Sequence, residues 1–145
     1  QFALSTNAAT LIPENAILVV VRSGILRRTI PVAINRVPVT INQDMKALLP
    51  RSELLPEYLR WWFRGKEASL LEYVKGGTTV QSLVWENVKA HAMCLPPLSD
   101  QRRIVAYLDD LQAKVDSLKR LQAGTAADLD AMLPSVLDRA FRGEM

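Results

Sequence analysis

From Ser99 onward the chain has little choice but to be helical. No Gly occurs there until Gly124 and no Pro until Pro134, Ser99 is a good N-cap residue, and Asp100 follows it in the first turn. Read in heptads, Leu108, Val115, Leu129 and Val136 take one seam position, and Ile104, Leu111, Leu118 and Met132 take the other. These residues make a coiled-coil-like apolar stripe, interrupted where Gln122 and Thr125 hold the same positions. Asp110 with Lys114, Asp116 with Arg120 and Asp138 with Arg142 stand four apart with the acid first, the favourable order on a solvated face. The stripe therefore faces protein and the charges face water. Over 99–121 alone such a helix spans about 34 Å at ~1.5 Å per residue, too long for a domain of about 100 residues to bury. Part of the seam needs a partner helix.

Upstream of Ser99 the pattern is strand-rich. Ile17-Leu18-Val19-Val20-Val21 is a continuous apolar run, which reads as a strand covered on both faces and therefore in the middle of a sheet. Arg22-Ser23-Gly24 breaks it, Thr29 to Ile34 resumes an extended pattern, and Asn35-Arg36 supplies the next turn. Val37, Val39 and Ile41 alternate with Pro38, Thr40 and Asn42, the pattern of a half-buried edge strand, and Met45 to Leu49 adds a short fourth strand. Pro56 and Glu57 start an amphipathic helix on which Leu59, Trp62, Phe63, Leu70, Tyr73 and Val74 recur at helical spacing. Gly65 marks a bend in it, and Lys75 with Gly76-Gly77 ends it. On this helix Trp62 and Phe63 fall on the core stripe, whereas Trp61 points elsewhere. Residues 76–82 form a polar loop, Val84 to Lys89 a turn of helix, and His91 to Leu95 a last strand that stops at Pro96-Pro97. The expected fold is α+β: a small mixed-sheet domain over residues 1–98, followed by a long coiled-coil-forming helix and a short C-terminal helix over 99–145.

Several chemistries are excluded by residue counts. One Cys94 cannot form an internal disulfide, and with a single His91 it cannot complete a zinc site of four protein ligands. Glycines stand only at 24, 65, 76, 77, 124 and 143, so no glycine-rich loop brings backbone amides onto a pyrophosphate. Cys94 and His91 have nothing to orient them as a nucleophile and base, and read as strand residues without chemistry. We expect no metal and no cofactor. No apolar run reaches the roughly 18 residues a membrane helix needs, and nothing near Gln1 has the pattern of an export signal, so the expected location is the cytoplasm.

Charge is unevenly placed. Residues 1–98 hold eleven Lys or Arg against seven Asp or Glu, a balance of +4, while 99–145 hold seven against eight, a balance of −1, which together give the net +3. Reading DNA requires Arg or Lys for phosphates and guanine edges, with Asn, Gln, Ser or Thr for other base edges, all carried on loops of a rigid scaffold. Two stretches have this chemistry. Arg22, Ser23, Arg27, Arg28, Asn35 and Arg36 sit at successive strand ends, and Lys75, Thr78, Thr79, Gln81 and Ser82 surround the Gly76-Gly77 pair. By composition alone they are ordinary solvated turns.

The junction Leu95-Pro96-Pro97-Leu98 followed by Asp100-Gln101-Arg102-Arg103-Ile104-Val105, then the Leu- and Val-striped helix and the terminal Ala140-Phe141-Arg142-Gly143-Glu144-Met145, resembles the helical region of type I restriction-modification specificity subunits. Ile17 to Gly24, Asn42-Gln43-Asp44, Leu55-Pro56-Glu57-Tyr58-Leu59 and the Gly76 to Leu83 loop are similar to the second half of that family's target recognition domain. The likeness runs from about Leu11 to the end, with Asp100 standing where the family usually has Glu. It implies a non-catalytic bacterial subunit that reads double-stranded DNA and holds methylation subunits and, through them, the restriction subunit. A complete family member carries two recognition domains separated by two helical spacers, and this chain holds at most one of each. The resemblance therefore implies an N-terminally incomplete recognition domain on residues 1–98 and a spacer on 99–145. Ile104, Leu108, Leu111, Val115, Leu118, Leu129, Met132 and Val136 would meet either a second copy of the chain or the other half of a longer subunit.

Two alternatives compete. A DNA methyltransferase uses similar recognition architecture, but would need a glycine-rich cofactor loop and an Asn or Asp before Pro-Pro and an aromatic; here Leu95 precedes Pro96-Pro97 and Leu98 follows. A helical dimerisation or scaffold module without DNA binding accounts for 99–142, yet leaves the paired arginines of the first part unexplained.

Overall fold

The computed structural model describes residues 3–5, 11–77 and 80–143, with the backbone alone described at 3–5 and at Ser135. The chain divides into two compact units, Gln1–Val105 and Ala106–Met145.

The first unit is α+β. Its larger sheet has the strand order β1-β5-β2-β4, with β1 at Ala3–Ser5, β2 at Ile17–Val20, β4 at Val32–Ile34 and β5 at Met45–Leu49. The apolar run of β2 does lie mid-sheet, and it is covered on both faces. Ile17 and Val19 enter the main core with Leu26, Leu48, Leu59, Phe63 and Leu70. Leu18 packs on the other side against Ile12, Ala16, Ile41 and Ala47. The smaller sheet has the order β3-β7-β6, formed by Arg22–Ser23, Gln81–Leu83 and Val74–Gly76. Every strand pairing among the described residues is antiparallel, so two antiparallel sheets replace the single mixed sheet expected. The short link from β6 to β7 requires an antiparallel pair there, because parallel neighbours need long crossovers.

Helix α1, Pro56–Gly65, begins at its proline and buries Leu59 and Phe63. The chain bends at Lys66, and α2, Glu67–Leu71, continues with Leu70 fully buried. The sequence pattern places Lys75 in the last turn of this helix, but the helix ends earlier, at Leu71. Tyr73 N–H closes a turn on the Leu70 carbonyl, and Val74 leaves the helix to pair with Leu83 in β6. Cross-strand partners thus override the helical spacing of Tyr73 and Val74, both of which still pack on the core.

Two further expectations give way to side-chain hydrogen bonds. Residues 37–41 make only a bridge between Val39 and Ile12, because Pro38 has no N–H and the Val37 carbonyl is taken by the Asn35 amide at 2.9 Å. Residues 91–97 are irregular: His91 ends helix α3, Trp85–Ala90, and the Cys94 carbonyl accepts from Tyr58 Oη at 3.0 Å.

Helix α4 spans Leu98–Phe141. It starts one residue before Ser99, since the Pro97 carbonyl already accepts from the N–H groups of Asp100 and Gln101. It continues through Pro134, so one helix stands where a long and a short one were expected. Of the three charge pairs, Lys114–Asp110 closes at 2.7 Å and Arg142–Asp138 at 3.0 Å, while Asp116 accepts instead from Gln112 Nε2 at 2.7 Å.

Candidate nucleic-acid interface

Val21 is the corner on which the site is built. The run that begins in β2 changes partners there: the N–H groups of Val21 and Arg22 both donate to the Asp44 carbonyl, at 2.8 and 3.2 Å, and the Val21 carbonyl then accepts from Leu83 N–H at 2.8 Å. The side chain of Val21 is buried, so the corner is held from inside. From it β3 emerges toward solvent beside β7.

This switch unites the two candidate stretches. Arg22 stands opposite Ser82 and Ser23 opposite Gln81, while on the far side of β7 Lys75 faces Ser82 and Gly76 faces Gln81. Opposed residues in an antiparallel pair share a face. Arg22, Ser82 and Lys75 therefore form one exposed row, and Ser23 and Gln81 form a half-buried row on the reverse. Ser23 Oγ accepts from Ile25 N–H at 3.4 Å and starts the 3-10 turn Gly24–Arg27, which packs beside β7 and carries exposed Arg27 and Arg28. Leu26 anchors that turn in the core. None of Arg22, Arg27, Arg28 and Lys75 takes part in a salt bridge among the described residues.

The hairpin between β6 and β7 is shaped by Gly76, whose φ is +151°. A Cβ there would lie 2.6 Å from the Val80 carbonyl oxygen, so only glycine fits without a shift. Gln81 Nε2 donates to the Gly77 carbonyl at 2.7 Å and ties the loop to its own strand. Thr78 and Thr79 lie outside the described residues.

Asn35 and Arg36 are not part of this cluster. They sit beside Ala16, at the opposite end of β2 from Arg22, roughly 20 Å away at ~3.3 Å per residue. Asn35 is 7% exposed. Its Oδ1 accepts from Ala16 N–H at 2.8 Å, and its Nδ2 donates to the carbonyls of Pro13 and Val37 at 2.7 and 2.9 Å. Both amide protons are thus used inside the fold, leaving none for a base. Arg36 bonds Glu57 at 3.1 Å and Asn15 Oδ1 at 3.0 Å.

The residues set aside as non-catalytic have structural roles. His91 packs edge-on against Trp62 and Tyr73, with Tyr73 Oη 3.2 Å from its Nδ1. Burial, followed by the charge of Cys94, raises the Tyr58 phenol above its ordinary pKa. Glu67 and Gln101 were not singled out in the sequence. Glu67 Oε1 accepts from Thr29 Oγ1 and from Ile30 N–H, fixing the exit of the arginine-bearing turn, and Gln101 ties the start of α4 to the loop before α1. Glu67 lies 37 residues from Ile30, and Gln101 lies 46 from Leu55, so neither leaves a local signal.

The fold and its basic sheet edge define a small α+β domain that presents cations and short polar side chains on turns, continued by a helix with an exposed apolar stripe. Residues 2–124 match the type I restriction modification DNA specificity domain, and the chain belongs to that family. It is 33% identical over 117 residues to the type I restriction enzyme EcoR124I/EcoR124II specificity subunit of Escherichia coli, covering 80% of this chain and 29% of that subunit. A chain solved in a study of complex assembly and conformational transition of the type I R-M system superposes with a TM-score of 0.79 at 30% identity, covering 96% of this chain and 33% of the other. The HsdS subunit from Thermoanaerobacter tengcongensis gives a TM-score of 0.62 at 29% identity, covering 96% and 32%. The chain thus spans about a third of the length of these relatives.

Proposed function

We propose that this chain reads duplex DNA as one recognition domain of a specificity subunit and carries out no reaction itself. The observation that carries the reading is the junction of β3 with β7, in which Arg22 stands opposite Ser82, sixty residues further along the chain, on one exposed basic edge. In this reading Arg22, Arg27, Arg28 and Lys75 hold phosphates. Ser82, in the same exposed row as Arg22 and Lys75, faces base edges, and Gln81, Thr78 and Thr79 remain further candidates, since hydroxyls and amides supply the donors and acceptors that distinguish bases. Asn35 and Arg36 are left out, because the fold already uses their side chains.

The stripe on α4 supports a partner helix. Leu111 and Leu118 are 39% and 60% exposed in the single chain, and Leu129 and Met132 are more than half exposed. A second copy of the chain, or the remaining two-thirds of a longer subunit, would supply that helix and a second recognition domain, giving a two-part DNA site with an unread gap. Methylation subunits, and through them the restriction subunit, are the expected protein partners, in the cytoplasm where the DNA is. Among the described residues no helix is long and apolar enough to cross a membrane.

The test is co-purification of the chain with candidate methylation subunits, followed by selection of bound duplexes from a random pool. Enrichment of a defined sequence is the expected result. A pool that stays random while the proteins co-purify would leave the scaffold reading in its place.

A further inference from the structure

The backbone that carries Arg27 and Arg28 is held at both ends. Leu26 before the pair and Ile30 after it are buried, while both arginines are exposed. Within the turn the N–H groups of Arg28 and Thr29 converge on one carbonyl, that of Ile25, at 2.9 and 3.2 Å. The Ser23 Oγ bond that opens the turn is long, at 3.4 Å. Its exit is closed by a residue of another element. Glu67, the half-buried first residue of α2, accepts from Thr29 Oγ1 and, at 2.8 Å, from Ile30 N–H, both on Oε1. Helix α2 is itself fixed by Leu70, which is fully buried. A carboxylate beside a surface that meets a polyanion repels it, so on charge alone Glu67 opposes DNA binding. As a clamp it does the reverse, because hydrogen bonds to an ionised acceptor are stronger than those between neutral groups.

We propose that Glu67 is a positioning residue for DNA contact: by holding Thr29 and Ile30 it fixes the backbone from which Arg27 and Arg28 reach phosphates, and it touches no DNA itself. This rests on the DNA-reading function proposed above. A turn already ordered before it meets the duplex loses less freedom on binding, so the clamp contributes affinity through the two arginines. Phosphate contacts carry no base information, so it leaves sequence preference unchanged.

The test is titration of the full chain with a labelled random-sequence duplex over a range of salt concentrations. Glu67→Ala and Glu67→Gln remove the same charge, but only Glu67→Gln keeps an acceptor oxygen. Glu67→Gln should therefore bind at least as tightly as the parent. Glu67→Ala should bind more weakly, with the magnitude of the slope of log affinity against log salt lower by roughly 0.9 for each arginine contact released. Added to the Arg27→Ala, Arg28→Ala pair, Glu67→Ala should cause no further loss, because the groups it positions are gone. Thr29→Val removes the Oγ1 bond alone from a residue of the same shape and should show the Glu67→Ala change at smaller size, so the test stands even where Glu67→Ala folds poorly. Equal affinities for Glu67→Ala and Glu67→Gln, or parental binding by Thr29→Val, with the arginine pair still lowering affinity and slope, would overturn this inference and leave the DNA reading standing. A further loss on the arginine-pair background would overturn it as well. No duplex binding by the parent chain at low salt would overturn both.

Discussion

Leu55 and Gln101, 46 residues apart, are joined by a 2.9 Å hydrogen bond from the Leu55 N–H to Gln101 Oε1. Nε2 of the same side chain donates to the carbonyls of Glu53 and Pro96 at 2.8 Å each. Gln101 is fully buried, so one amide clamps the loop that enters α1 to the first turn of α4 and satisfies three backbone groups at once.

Gln101→Leu should therefore destabilise the first unit by at least about 2 kcal/mol, since each buried group left without a partner costs about 1–3 kcal/mol. Gln101→Glu keeps the acceptor for Leu55 but points an anion at two carbonyls, which raises that carboxyl's folded-state pKa. Its penalty should be smallest in acid, where the protonated carboxyl can donate, and should grow with rising pH, from the unfolded-state pKa up to the raised folded one. Urea unfolding of both variants at acid and neutral pH checks this. Equal stability of Gln101→Leu and the parent would remove the clamp.

Replacing Arg27 and Arg28 by Ala should weaken binding to all duplexes and lower the salt slope by roughly 0.9 for each phosphate that is no longer neutralised. Both side chains are exposed, so folding should be unaffected. Unchanged slopes would take the 3-10 turn out of the interface.

The hairpin should control preference more than affinity. Gln81→Ala should change which duplex is favoured, with discrimination at one position altered by about 1–3 kcal/mol, the worth of a good base contact. Gly76→Ala forces a side chain against the Val80 carbonyl at a φ that L residues rarely adopt, and should impair DNA reading and stability together. A panel of duplexes showing only uniform weakening for Gln81→Ala would count against base reading by this hairpin.

On α4, Leu111→Ala and Leu118→Ala should each destabilise the paired assembly by about 2–5 kcal/mol where the seam is fully buried, and by less where it is wet. Sedimentation at micromolar concentration reports the assembly. A strictly monomeric chain whose variants melt like the parent would mean that the seam waits for the other part of a longer subunit, or that the stripe is no interface.

The isolated chain should neither bind the methyl donor nor methylate or cleave DNA. Calorimetry with the donor is the direct measurement, and detectable binding would favour the methyltransferase alternative.

Local periodicity was enough for the elements whose stability is local. The Gly- and Pro-free run after Ser99 gave a long helix because successive residues bond only to neighbours one turn away. Pro56 opened α1, and the unbroken apolar run at Ile17 marked a strand with neighbours on both faces. The junction from Leu95 to Val105 was distinctive enough to point to the family.

Where a residue's partner lies far along the chain, only the tertiary structure decided the outcome. Val74 had helical spacing yet joined a strand, because Leu83 offered a ladder partner. Asn35 had the chemistry of a base reader, yet its amide closed a turn between Pro13, Ala16 and Val37. The basic edge itself exists because the backbone changes partners at Val21 and brings Arg22 opposite Ser82. Such pairings depend on register and on which buried groups remain to be satisfied, and these are properties of the assembled core that no window of neighbouring residues contains.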